Sequence, residues 1–168
     1  MRRWIVGIGA LVFCASLSNA QAPNQGVGLD LVNYQQMGEE IRKLEGKVIL
    51  VDFWADFCRP CKEKFPHVQA LRQKYARQGL TVVTVSIDDI SSDPGVRERV
   101  YSFLQQQQAT SRNFILAEKP EVWISKLKMN SVPTMFLFDK QGRLINRYTG
   151  NECDLGTIER RITQLLAE

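Results

Sequence analysis

Cys58 and Cys61 stand with two residues between them in "VILVDFWADFCRPCKEKFP", residues 48–66. A pair at this spacing could staple the fold, hold a metal, or exchange electrons with another thiol. As a staple it is weak, because so small a loop removes little unfolded-state entropy. A structural zinc needs four ligands, and the nominees would be Cys58, Cys61, Cys153 and the single histidine, His67. On a helix His67 lies about 180° around from Cys58 and about 240° from Cys61, so it faces elsewhere. Electron exchange asks for an exposed first thiolate with a second sulfur close behind it to resolve a mixed disulfide. A helix beginning near Cys58–Pro60 favours that thiolate, because its free amides attract negative charge. Pro60 suits the first helical turn, where no N–H is needed. Arg59 adds a positive charge beside the sulfur, with its head in solvent.

The elements that would position the pair follow from periodicity. "KVILVDFW" is a continuous Val- and Ile-rich run, the pattern of a strand buried on both faces. From Pro60 to Gln78 the spacing turns helical, with Phe65, Val68, Leu71 and Tyr75 on one side and Gly79 at the stop. "LTVVTVSID" reads as a second buried strand and "VRERVYSFLQQQ" as an amphipathic helix. "NFILA" and "EVWISKL" read as a short strand and a short helix. "TMFLFD", a turn at "KQG" and "RLINRY" form a hairpin. "LGTIERRITQLLAE" closes the chain as a helix with Leu155, Ile158, Ile162 and Leu165 inward. Upstream, residues 23–36 read as a loose arm, and "MGEEIRKLEG" as a helix ending at Gly46. Strand–helix–strand order followed by a hairpin and a helix predicts an α/β fold, a mixed sheet covered by helices.

The chain has 168 residues, 44% of them hydrophobic, enough for one domain with a real core. Its first twenty residues read as a leader: a basic "MRR", an apolar stretch from Trp4 to Leu17, and "SNA" before a cut after Ala20. "AQA", ending at Ala22, is a second cleavage candidate, and an uncleaved anchor is the alternative membrane attachment. Cys14 falls in the leader. Loss of Arg2 and Arg3 would lower the formal charge from +4 to about +2. The remaining charges are interspersed, which argues against a nucleic-acid surface. Export implies an oxidising compartment, periplasmic or secreted, and leaves Cys58, Cys61 and Cys153. The simplest arithmetic is one paired CxxC and one spare thiol, Cys153, read as partly buried and inert, with a regulatory or intermolecular thiol as the alternative.

The segment 48–66 resembles the thioredoxin active-site segment in its buried strand, its Asp, its "FWA", its CxPC and the proline five residues after the second cysteine. "SVPTMFLFDKQGRLINRYTG" is similar to the stretch that carries the family's cis-proline. The resemblance covers roughly residues 46–167. It implies a thioredoxin-like three-layer sandwich with a mixed central sheet, in domain 46–168, preceded by an arm and helix over 21–45. It also implies that Cys58 attacks, that Cys61 resolves, and that the two form a redox-active disulfide. Val132-Pro133 would be a cis peptide beside that disulfide. Trp54 would form an apolar rim, and Trp54, Arg59, Pro60, Val132, Pro133 and Thr134 would meet the substrate. Asp52 falls where the family keeps a buried carboxylate that shuttles the proton of Cys61. The residues alone also allow a strand-end Asp that caps local amides. The lysine that often accompanies this acid is absent from "VVTVSID".

The long segment between Asp88 and Pro133 exceeds one crossover and implies an inserted βα unit. With the leader, it resembles exported thioredoxin-like proteins of the TlpA/ResA type. That resemblance implies a reductase of specific extracytoplasmic protein disulfides, as in cytochrome c maturation. It would work with protein disulfide and thiol substrates and an electron-donor thiol protein, and would need neither cofactor nor metal. A disulfide-forming oxidant uses the same scaffold. A thiol peroxidase would want a threonine just before the attacking cysteine, which "FWADFC" lacks. A copper-delivery protein would want a histidine or methionine near the pair.

Overall fold

A computed structural model describes residues 26–168; the leader and Cys14 lie outside the described residues. The apolar run becomes strand β2 (Val48–Trp54), with every residue buried. Around it the chain forms, in order, β1 (Asp30–Val32), α1 (Tyr34–Arg42), β2, α2 (Arg59–Tyr75), β3 (Leu80–Ser86) and α3 (Val96–Gln106). There follow β4 (Arg112–Leu116), α4 (Pro120–Leu127), β5 (Thr134–Phe138), β6 (Leu144–Thr149) and α5 (Leu155–Ala167). The six strands make one mixed sheet in the order β1-β4-β3-β2-β5-β6. β2 pairs parallel with β3 and antiparallel with β5.

The steps β2–α2–β3 and β3–α3–β4 run the same way across the sheet, so right-handed crossovers put α2 and α3 on one face. Phe65 of α2 and Phe103 of α3 meet edge to face at 5.1 Å. α5 joins that face, where Ile158 and Ile162 pack with Val68 and Leu71 over Val48 and Leu50. α1 and α4 cover the opposite face, above Ile49, Val51 and Phe53. A buried polar chain ties α2 to β4 and β3. In it Gln69 donates to Ser111 at 3.2 Å, Ser111 to Asn113 at 2.9 Å, and Thr84 to Asn113 at 2.8 Å.

Two local readings differ from the structure. The arm expected over 23–36 contains β1, which pairs parallel with β4 through Asp30↔Phe114 and Leu31↔Ile115. Three residues are too few to show a period, so the strand exists only because β4 offers an edge. The helix expected from Met37 starts earlier, because Asn33 caps it: the Gln36 N–H donates to Asn33 Oδ1 at 2.8 Å. The inserted βα unit is β4 with α4, and β4 enters the sheet between β1 and β3. Among the described residues no helix is long and apolar enough to cross a membrane.

Candidate active site

β2 delivers the chain to the pair, and a tight turn starts the helix. The Cys58 N–H donates to the Ala55 carbonyl at 3.0 Å, and α2 begins at once. Cys58 is its N-cap: Cys58 Sγ accepts the Cys61 N–H at 3.3 Å. Pro60 lies in the first turn, where it removes no helical hydrogen bond. Cys58 and Cys61 are joined as a disulfide, with their Cα atoms 5.3 Å apart. The Arg59 side chain is 91% exposed and pairs with Glu63 at 2.9 Å, so its charge is shared and solvated.

An ionic cluster fixes the turn ahead of the cysteines. The Asp56 N–H donates to Asp88 Oδ2 at 2.9 Å, and the Ser86 hydroxyl donates to the same oxygen at 2.7 Å. The Asp56 carboxylate takes Lys62 of α2 at 2.6 Å and Arg99 of α3 at 2.8 Å. Burial alone would raise the Asp56 pKa, but its bonds to Lys62 and Arg99 outweigh that and hold it low. Burial pushes the Asp88 carboxyl up, against its bond from Ser86. The turn is thereby tied to both helices on this face.

The second segment arrives through β5. Phe53 pairs with Thr134, so Val132 and Pro133 lie just beyond the end of β2, where the turn to Cys58 begins. The Val132–Pro133 peptide is cis. The Thr134 hydroxyl donates to the Ser131 carbonyl at 2.7 Å. Pro133 is buried, and its carbonyl accepts the Gly150 N–H at 2.9 Å and faces Cys153 Sγ at 3.5 Å.

Asp52 is 2% exposed, between Thr84 on β3 and Met135 on β5. Loss of water raises its pKa to about 7. Thr84 stands beside it on β3 and engages Asn113, so no lysine offsets that burial there. Cys153 is buried, and its pKa is pushed up to about 11 by loss of water first and by the charge of Asp52 next.

Trp54 does not form an exposed rim. It is 1% exposed, packed against Phe65 at 5.4 Å and Phe103 at 5.0 Å. Strand alternation puts it on the face of Leu50 and Asp52, which α2 and α3 cover. Its indole N–H has no hydrogen-bond partner among the described residues. Among the described residues the exposed aromatic is Phe57, at 77%, directly before Cys58. Sequence reasoning passed over it. The available signal was an aromatic in a turn too short to bring it back to the core. His67 lies exposed on α2.

A disulfide that caps a helix, backed by a buried carboxylate on the strand behind it, is suited to reversible thiol–disulfide exchange. Comparison with known proteins agrees in chemistry. Residues 46–144 match the thioredoxin-like family model. The thiol-disulfide oxidoreductase ResA of Halalkalibacterium halodurans is 28% identical over 82% of this chain and 74% of its own length. The ResA of Oceanobacillus iheyensis is 35% identical over 50% of this chain and 49% of its own length. A protein of Chlorobium tepidum assigned as thiol:disulfide interchange protein DsbE superposes with a TM-score of 0.63 at 26% identity. That superposition covers 75% of this chain and 84% of the other. Since the family model spans more than half of its residues, the chain belongs to the thioredoxin-like family, among its thiol–disulfide oxidoreductases.

Proposed function

We propose that this protein is an exported reductase of protein disulfides, with Cys58 as the attacking sulfur and Cys61 as the resolving one. The observation that carries the reading is the helix cap: the α2 amide that meets Cys58 Sγ favours that sulfur as a thiolate. In the reduced protein the Cys58 thiolate attacks a substrate disulfide. One S–S bond breaks, a mixed disulfide forms, and the first substrate thiolate leaves. Cys61 passes its proton to Asp52 and attacks Cys58 Sγ, expelling the second substrate thiolate, which takes up a proton. The substrate gains two electrons and two protons, and Cys58 and Cys61 end as the disulfide. A donor dithiol protein returns the electrons. Asp52 suits the proton step because its pKa of about 7 lets it hold or release a proton near neutrality.

The substrate contacts proposed are Arg59, Pro60, Phe57 and the backbone of Val132, Pro133 and Thr134, where an extended peptide can add main-chain hydrogen bonds. Trp54 supports this surface from beneath. Export is supported by the leader of residues 1–20. The family match supports a domain beginning at residue 46, and the sheet extends it back to Asp30, because β1 pairs with β4 and Met37 of α1 joins the core. The substrate class, extracytoplasmic proteins such as those of cytochrome c maturation, rests on the sequence resemblance to exported TlpA/ResA-type proteins.

The test is capture with Cys61→Ser. Proteins held on Cys58 and released by dithiothreitol are expected, together with insulin reduction by the wild type. A Cys61→Ser chain that holds nothing, with no insulin reduction by wild type, overturns the reading.

A further inference from the structure

On the sheet face away from α2 there is a cavity of about 500 Å³ between α1 and α4. None of its lining residues belongs to the turn of Cys58 or to the Val132–Pro133 segment. Its floor is apolar sheet, Ile49, Val51, Phe53 and Phe136, and its wall is Met37 and Ile41 of α1. A second space of about 400 Å³ shares part of its lining, and Arg42 and Lys126 border both. Neither cation has an ion-pair partner among the described residues. Glu45 and Glu118 also border these spaces, but neither is within ion-pair distance of Arg42 or Lys126, and with Arg147 the lining keeps an excess of one positive charge. Arg147 closes one end, stacked 4.4 Å over Phe136 and donating to the Leu127 carbonyl at 2.7 Å.

Gly38 borders both spaces from the middle of α1. Glycine there weakens the helix relative to any residue but proline. No backbone demand explains it, since its φ is not positive, and a Cβ would meet only the mobile end of Arg42 at 3.6 Å. A larger side chain would fit the helix and fill the space. The sequence gives up local stability and leaves the cavity open, a departure from local consistency of the kind that marks functional sites.

We propose that this cavity binds a single-chain amphiphile with an anionic head, a free fatty acid, with its tail along the sheet and its carboxylate between Arg42 and Lys126. The volume lies within the range of pockets that hold one small ligand, and the two free cations select the sign of the head.

Calorimetric titration of the full chain with octanoate, decanoate and dodecanoate, each below its micelle concentration, tests this. Saturable binding of one molecule is expected, tightening up to about fourfold per added methylene. Dodecyltrimethylammonium, the cationic counterpart, should bind at least tenfold more weakly than dodecanoate. Arg42→Glu with Lys126→Glu, both at exposed positions, should weaken dodecanoate at least tenfold. Gly38→Leu should abolish binding while raising the melting temperature and leaving insulin reduction unchanged. Absence of saturable binding overturns the proposal, as does equal affinity for the cationic amphiphile or unchanged binding in Gly38→Leu. Association only with anionic phospholipid vesicles would assign the face to a membrane surface and overturn it too.

Discussion

The Cys61 N–H donates to Cys58 Sγ at 3.3 Å, so a sulfur takes the place that a hydroxyl or carboxylate usually holds at a helix N-terminus. In the reduced protein the same amide meets a thiol, and the bond is stronger when that sulfur is charged. Cys58 should therefore ionise below a free cysteine. Thiolate absorbance at 240 nm is expected to show this step in the wild type and to lose it in Cys58→Ser. A step no lower than that of a free thiol would remove the activation from the mechanism.

Asp52 makes a stability prediction whose sign is opposite to that of a paired carboxylate. Its folded pKa, about 7, lies above the unfolded value near 4. The folded chain holds the proton longer, so its contribution is complete below about pH 4 and is lost as the pH rises to about 7. Asp52→Asn should stabilise the protein at pH 8 by roughly 2–4 kcal/mol and change little near pH 3. The same variant should slow resolution by Cys61 more than attack by Cys58 in stopped-flow traces of a mixed disulfide. Equal stabilisation at both pH values would show that the carboxylate does not titrate as described.

Cys153 should stay silent in the folded protein. It is buried beneath the Pro133 carbonyl, and a pKa of about 11 leaves on the order of one thiol in a thousand ionised at pH 8. Iodoacetamide is expected to modify reduced Cys58 quickly and Cys153 only after denaturation. Comparable labelling of both in the native state would reveal an opening at the start of α5.

The parts legible in the sequence are those set by local chemistry. Val48–Trp54 reads as a buried strand because it is uninterrupted and β-branched, and α2 has Pro60 in its first turn and is followed by a 3-10 turn, Ala76–Gln78, that stops at Gly79, whose φ is +107°. The pairing Phe53↔Thr134 that brings Pro133 to the turn before Cys58 is long-range, and only the family resemblance suggested it. Trp54 and Phe57 show the limit most clearly. Both are aromatic and three residues apart, yet one is sealed by Phe65 and Phe103 and the other projects into solvent. The cover over Trp54 comes from α2 together with α3, and α3 is distant in sequence. The pKa of Asp52 is a matter of depth, which a residue string does not record.

Phe57 should matter for protein substrates and not for the fold. Exposed at 77%, it contributes little to packing, so Phe57→Ala should change stability by less than about 0.5 kcal/mol. An aromatic so placed can bury against a partner. KM for reduced-insulin formation should rise several-fold with kcat nearly unchanged, while turnover of hydroxyethyl disulfide stays at the wild-type rate. Equal losses with both substrates would place the residue in the chemistry and not in docking.

The direction of electron flow follows from how far the thiolate is favoured. Roughly 150 mV separates thioredoxin from the strong oxidant DsbA, which is about 7 kcal/mol for two electrons. Here the helix terminus supplies about 1–2 kcal/mol. Arg59 adds little, because its side chain is 91% exposed and already paired with Glu63. No histidine stands between the cysteines, and Val132 brings no hydroxyl toward the sulfur. The reduced form therefore lacks most of the stabilisation that an oxidant requires. Equilibration with dithiothreitol or glutathione buffers, read by tryptophan fluorescence, should give a potential nearer that of thioredoxin, and Glu63→Gln should shift it to a less negative value by freeing Arg59. A potential close to that of DsbA would make the protein an oxidant and reverse the proposed flow.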